Sequence, residues 1–131
     1  NSSIEKFSKN ENKYTLATIS FGFRNFTDHD KALKNIYKLL KPGGRLIIMD
    51  FKNPRNGILR KIFSSYTDNI LPLLGKKVVG DSESYRYLSD SIKTYMTVDE
   101  ITQLLTRSGF INIRSESMPG DFVSIHIGYK S

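Results

Sequence analysis

The stretch TLATISFGFRN, residues 15 to 25, runs apolar and β-branched and then releases Arg24 and Asn25 in quick succession. Both side chains are donors: a guanidinium carries five N–H groups and keeps its proton in proteins, and a carboxamide carries two. Held rigidly at the mouth of a crevice, such donors stabilise an oxyanion as it develops, each worth on the order of 10² to 10³ in rate. The residue types alone allow a second reading, in which Arg24 pairs with Asp28 or Asp50 or caps a helix carboxyl end, and periodicity does not choose between them. Tyr85, Arg86 and Tyr87, in DSESYRYL, form a second cluster. Two rings beside an arginine either line a pocket or leave Arg86 to pair with Asp81 or Glu83 as scaffold. His29 is a titratable group near Arg24, but the first turn of a helix suits a solvated or capping histidine.

Composition removes other chemistries. With no cysteine and two histidines among 131 residues, neither a thiolate site nor a histidine-rich metal site is expected. A chain that is 38% hydrophobic and 25% charged has the balance of one globular domain. The excess of 20 Lys and Arg over 13 Asp and Glu, a net +7, favours an anionic partner. The basic residues are scattered, however, with many on helix faces such as Lys31, Lys34, Lys38 and Lys41. They are not interleaved with aromatics as in single-strand binders, so nucleic acid is not an expected partner. No apolar run approaches the roughly 18 residues that span a bilayer, and the first residues lack the order of a signal peptide, so a cytoplasmic location is expected. The chain starts at Asn1 rather than methionine, as a truncated or processed product would.

The elements that must position these side chains alternate. Residues 1 to 13 are polar loop, and Tyr14 to Phe21 reads as a strand buried on both faces. Thr27 and Asp30 have capping-box spacing and open a helix with Leu33, Ile36, Tyr37 and Leu40 on one face, which Pro42-Gly43-Gly44 ends. LIIMDF, residues 46 to 51, follows as a second strand, and strand, helix and strand in this order imply a parallel crossover. Residues 55 to 74 form an amphipathic segment with Ile58, Leu59, Ile62, Phe63, Tyr66 and Ile70 at helical spacing, suited to core packing or, with its basic flanks, to a membrane surface or a greasy substrate. A short helix is expected over Glu83 to Ile92, and another from the Thr97–Glu100 capping box to Gly109. Phe110 to Ser115 and Phe122 to Tyr129 alternate as two closing strands, too near each other in sequence to pair other than antiparallel. The class is α/β with a mixed sheet, and in such sheets ligands collect beyond the carboxyl ends of the parallel strands, at Ser20 to Asn25 and Asp50 to Asn53.

TISFGFRN, TDHDKAL, LLKPGGRL, DSESYRYLSDSI and the closing HIGYK closely resemble the quinone-biosynthesis C-methyltransferases that act on ubiquinone and menaquinone precursors. LKPGG is common to many class I methyltransferases; the SFGxRN and DxESYxYLxxSI patterns at this separation are specific. The resemblance runs over nearly the whole chain but covers only the second half of the family's domain. It implies a Rossmann-like class I methyltransferase fold, here as the carboxyl-terminal part, residues 1–131, of a single domain: parallel strands with crossover helices and a closing antiparallel pair. The glycine-rich loop and the acidic residue that hold the nucleotide in the family have no counterpart in this sequence.

The resemblance further implies S-adenosyl-L-methionine as cofactor, touched by Asn1, Ser2 and Ser20, and a polyprenyl benzoquinol or naphthoquinol as the substrate methylated on carbon. Arg24 and Asn25 would act on the ring oxyanion, Arg24 as an electrostatic stabiliser or through an ordered water, while Tyr85, Arg86 and Tyr87 would line the pocket for the quinol head. It leaves room for peripheral contact with the inner membrane (the mitochondrial matrix in a eukaryote), for a homo-oligomer or a quinone-biosynthesis complex, and for a non-catalytic fragment that only binds or scaffolds. The sequence departs from the family pattern at Ser2, where alanine is usual; at Asp50, where glutamate is usual; at Lys52, in place of a serine; and at Pro119 and Asp121, in place of small residues.

Overall fold

A computed structural model describes residues 3–4, 11–52, 61–62, 64–70, 73 and 82–131; for residues 67, 82, 85, 89 and 93 it describes only the backbone. Four strands form one mixed sheet in the order β1-β2-β4-β3, with β1 at Tyr14–Ser20, β2 at Leu40–Phe51, β3 at Ile111–Ser117 and β4 at Val123–Tyr129. β1 and β2 are parallel, as a helical crossover demands, and β4 pairs antiparallel with both β2 and β3. The mixed sheet expected from the sequence is therefore present.

The crossover helix α1, His29–Leu39, starts one residue later than the capping box suggested: Asp28 is the cap, its side chain accepting the Lys31 N–H at 2.9 Å. Aspartate caps at least as well as threonine, and Asp30 is left free to pair with Arg107 across the helix layer at 2.7 Å. Pro42-Gly43-Gly44 does not end α1, because Leu40 already pairs with Tyr14. The register then jumps to Leu16 opposite Arg45, so the Pro-Gly-Gly segment loops out of β2. Gly43 takes φ +77° at this bulge.

Helix α2, Ser82–Lys93, helix α3, Val98–Arg107, and a π-helical turn at Tyr66–Ile70 are further described elements. The expected capping box of α3 is formed reciprocally by Thr97 and Glu100. Gly109 takes the left-handed conformation at φ +100° that ends the helix. Leu33, Ile36, Leu46, Ile48, Ile101 and Leu105 interdigitate as the core between the sheet and α1 and α3. Each contributes roughly 1.5–3 kcal/mol by leaving water.

Two expectations about burial are corrected. β1 is not buried on both faces: Tyr14 and Leu16 are 42% and 44% exposed, because the strand lies at the sheet edge with β2 as its partner among the described residues. In the amphipathic segment, described in part, Ile62, Tyr66, Ile70 and Leu73 are exposed rather than packed into the core. The other apolar positions expected in that segment, Ile58, Leu59 and Phe63, lie outside the described residues.

Candidate active site

The carboxyl end of β1 turns sharply into the site. Phe21 adopts φ +53°, a left-handed conformation costing roughly 1–3 kcal/mol for such a residue. It is held by its N–H to the Met49 carbonyl at 2.8 Å and by its ring 4.8 Å from that of Phe51. A 3₁₀ turn follows at Phe23–Asn25, anchored by the fully buried Phe23 ring. This turn lays Arg24 across the end of β2.

Asp50, 1% exposed, receives both parts of Arg24: the backbone N–H at 3.0 Å and Nη1 at 2.6 Å. Nη1 also donates to the Phe21 carbonyl at 2.7 Å, and Nε donates to Ser91 Oγ on α2 at 3.3 Å. The guanidinium carbon lies 5.4 Å from the centre of the Phe51 ring. Nη2 makes no hydrogen bond among the described residues. One of the two readings of Arg24, pairing with Asp50, is thus realised. The pair is not remote from a cavity, however, since Arg24 lines a hollow of about 380 Å³ together with Asn25, His29, Tyr87, Asp90, Ser91, Thr94, Tyr95 and Met96. That volume is within the range of small-molecule sites.

The cavity unites Arg24 and Asn25 with part of the second cluster. Tyr87 Oη donates to Asn25 Oδ1 at 3.4 Å, a long bond across the opening. Arg86 is exposed and is not among the described residues that line this cavity. Tyr85 lies in α2, and its side chain is outside the described residues, as are Asn1 and Ser2. His29 is committed locally, Nε2–H donating to the Phe23 carbonyl at 2.8 Å with the ring edge-on to Phe23.

Ser20 is not in this cavity. It is exposed at the end of β1 on a separate hollow of about 570 Å³, walled by Leu16, Ala17, Ile19, Phe26 and Ile36. The turn carrying Arg24 and Asn25 leads directly into Phe26, so this short segment lines both hollows.

Sequence reading missed Tyr95, Ser91 and the second polar cluster. Tyr95, three residues beyond the densely matched DSESYRYLSDSI segment, looks like an ordinary core aromatic, and Ser91 like a helix-surface serine; the signal for Ser91 was its place within that segment. That polar cluster joins β3 and β4 to α3. His126, fully buried, has Nδ1 2.8 Å from Ser115 Oγ and Nε2 3.0 Å from Ser124 Oγ, with Thr102 Oγ1 3.0 Å from Ser115. Burial, and to a lesser degree the charge of Lys52, pushes its pKa down to about 4. Nearby, buried Lys52 donates to Ser117 Oγ at 2.6 Å and forms an ion pair with Asp121.

Comparison with solved structures places the architecture. The chain superposes on S-adenosyl-L-methionine-bound phosphoethanolamine N-methyltransferase 2 of Haemonchus contortus with a TM-score of 0.66 at 14% identity, over 98% of this chain and 36% of that one. A SAM-dependent methyltransferase from Aquifex aeolicus matches with a TM-score of 0.62, also at 14% identity, over 99% of this chain and 53% of that one. The fold is thus that of the SAM-dependent methyltransferases. Among curated proteins, the chain is 42% identical over 120 residues to the ubiquinone/menaquinone biosynthesis C-methyltransferase UbiE of Pseudoalteromonas translucida, covering 92% of this chain and 48% of the relative. It is 43% identical to the corresponding protein of Pasteurella multocida, covering 92% and 45% respectively. The chain belongs to the ubiE/COQ5 methyltransferase family, whose model matches residues 1–130, and it spans about half the length of these curated relatives.

Proposed function

We propose that the chain is the carboxyl-terminal part of one methyltransferase domain and that the whole protein methylates a ring carbon of a polyprenyl benzoquinol or naphthoquinol. The observation that carries this reading is the immobilised Arg24: three anchors, Asp50, Ser91 and the Phe21 carbonyl, fix its guanidinium at the wall of a cavity large enough for an aromatic head group. A ring carbon becomes nucleophilic when a neighbouring hydroxyl loses its proton, and the resulting oxyanion needs fixed donors. Arg24 supplies a cation that does not reorganise, its Nη2 facing no protein partner among the described residues, and Asn25 adds amide donors beside it. Tyr87 orients the Asn25 amide by donating to its oxygen, which leaves the NH₂ end for the ligand. Asp50 keeps Arg24 in place.

The residues present fit S-adenosylmethionine in part. Ser20 offers an exposed hydroxyl at the end of β1, beside an apolar wall; a glycine-rich loop and a ribose-binding carboxylate are not among the residues of this sequence. When bound, the cofactor supplies an electrophilic methyl group. This chain's own task is to bind and orient the quinol and to hold its oxygen as an anion.

The exposed Ile62, Tyr66, Ile70 and Leu73 support a further part of the proposal: a surface for the polyprenyl tail or the membrane that holds it, with the net charge of +7 favouring an anionic leaflet. The place of work would then be the cytoplasmic face of a membrane or its mitochondrial equivalent. Transfer of labelled methyl from S-adenosylmethionine to a demethylated quinol by the whole protein tests the reading. Activity that falls on replacing Arg24 by glutamine supports it. An inactive whole protein that still binds quinol would instead support a binding or scaffold role.

A further inference from the structure

Four described hydroxyl side chains line the Arg24 cavity: Tyr87, Ser91, Thr94 and Tyr95. Three have committed their proton. Tyr87 donates to Asn25 Oδ1 at 3.4 Å, Ser91 to the Leu88 carbonyl at 2.8 Å, and Thr94 Oγ1 to the Asp90 carbonyl at 2.8 Å. The Tyr95 hydroxyl is buried and has no hydrogen-bond partner among the described residues, although the residue is only 9% exposed. A buried donor without a partner bears its full desolvation cost. Phenylalanine would fill the same space in the core cluster without that cost.

We propose that Tyr95 is a specificity-determining residue whose hydroxyl donates to a ring oxygen of the aromatic ligand in this cavity, so that oxygenated rings are favoured over bare ones. This rests on the quinol reading given above. Burial, reinforced by the negative charge of Asp50 and opposed by Arg24, holds the phenol well above its ordinary pKa. Tyr95 therefore remains a neutral donor, the form an oxyanion or a hydroxyl oxygen requires. Its position in the short link between α2 and α3, with its N–H bonded to the Ile92 carbonyl at 3.3 Å, places it on a different element from Arg24. Two donors from separate elements restrict how a planar ring can sit more than one does.

The test compares the wild-type whole protein with its Tyr95→Phe variant, using 1,4-dihydroxynaphthalene and naphthalene as ligands and calorimetry or fluorescence as the readout. The variant should bind the diol about tenfold more weakly, the scale of one lost hydrogen bond, while its affinity for naphthalene and its fold are kept and its melting temperature is unchanged or higher. Unchanged diol affinity, equal losses for both ligands, or a wild type that does not prefer the diol would each overturn the assignment. Methyl transfer by the whole protein separates the two levels. If the wild type methylates quinols and Tyr95→Phe keeps full diol affinity, the Tyr95 role falls and the quinol reading stands. If no quinol is methylated but diol binding is selectively weakened, the Tyr95 role stands and the quinol reading falls.

Discussion

Arg24 Nη1 and Asp50 Oδ1 meet at 2.6 Å with side chains only 9% and 1% exposed, tying the cation at the cavity wall to the end of the second strand. The aspartate belongs to the sheet and the arginine to a turn, so the precision of the site comes from β2 rather than from the loop that carries the donor.

The first prediction concerns this pair. Arg24→Gln should lower kcat for methyl transfer by about 10² to 10³ with a much smaller change in KM, because the cation acts on charge that develops in the transition state. Asp50→Asn should cost about 3–5 kcal/mol of stability, since it strands a largely buried guanidinium. Urea denaturation and steady-state kinetics check both, and an Asp50→Asn protein as stable as wild type would show that Arg24 does not depend on it.

Lys52 and Asp121 are two of the departures from the family pattern, and the structure joins them as one ion pair. They should therefore be coupled. Asp121→Gly should be more damaging than Lys52→Ser, because it leaves a lysine that is 4% exposed without its counter-charge, whereas Asp121 is 28% exposed and reaches water. The double variant should be less destabilised than the two single changes added together, by about 1–3 kcal/mol in a double-mutant cycle. Glycine at 121 also relieves the φ of +62°. Strict additivity would show the two replacements to be unrelated.

His126 gives the fold an acid limit. Its ordinary pKa of 6.5 is pushed down to about 4 in the native state, so the unfolded chain takes up a proton that the native protein refuses over that interval. Stability from this residue is complete above pH 6.5 and is lost as pH falls to about 4, a total of about 3 kcal/mol. Urea midpoints measured from pH 7.5 to 4.5 should decline accordingly, and His126→Gln should have a flatter slope. Parallel slopes in the two proteins would place the acid sensitivity elsewhere.

Gly44 packs backbone against backbone where the Pro-Gly-Gly bulge leaves β2. A Cβ there would lie 2.8 Å from the Lys41 carbonyl oxygen and 3.3 Å from those of Thr15 and Tyr14. None of these atoms yields easily, so Gly44→Ala should destabilise by about 1–3 kcal/mol. Gly43→Ala meets nothing within 4 Å and costs only the strain of its φ of +77°. Thermal melts of the two variants should rank in that order.

The fold was legible from spacing because its elements obey local rules: a reciprocal cap at Thr97 and Glu100, a left-handed glycine at 109, and two strands too close to cross over. What sequence could not supply was which face of a strand met the core. β4 alternates, but the side that is buried is Ser124, His126 and Gly128, while Val123, Ile125 and Ile127 are half-exposed. Polar side chains enter that interior because they satisfy one another and Ser115, which no pattern of single positions records. In the same way Arg24 and Asn25 were readable as donors after a strand and Asp50 as one candidate partner, whereas the choice of Asp50 over Asp28 and the unpartnered Tyr95 hydroxyl depend on packing between elements far apart in sequence.

The strained Phe21 has a carbonyl that accepts from the very arginine its bend delivers. Cation and kink thus lock each other: the unfavourable dihedral directs the side chain, and the side chain clamps the dihedral. Loss of the arginine would therefore remove one of the clamps on the bend and leave the Met49 hydrogen bond and the Phe51 ring to carry it.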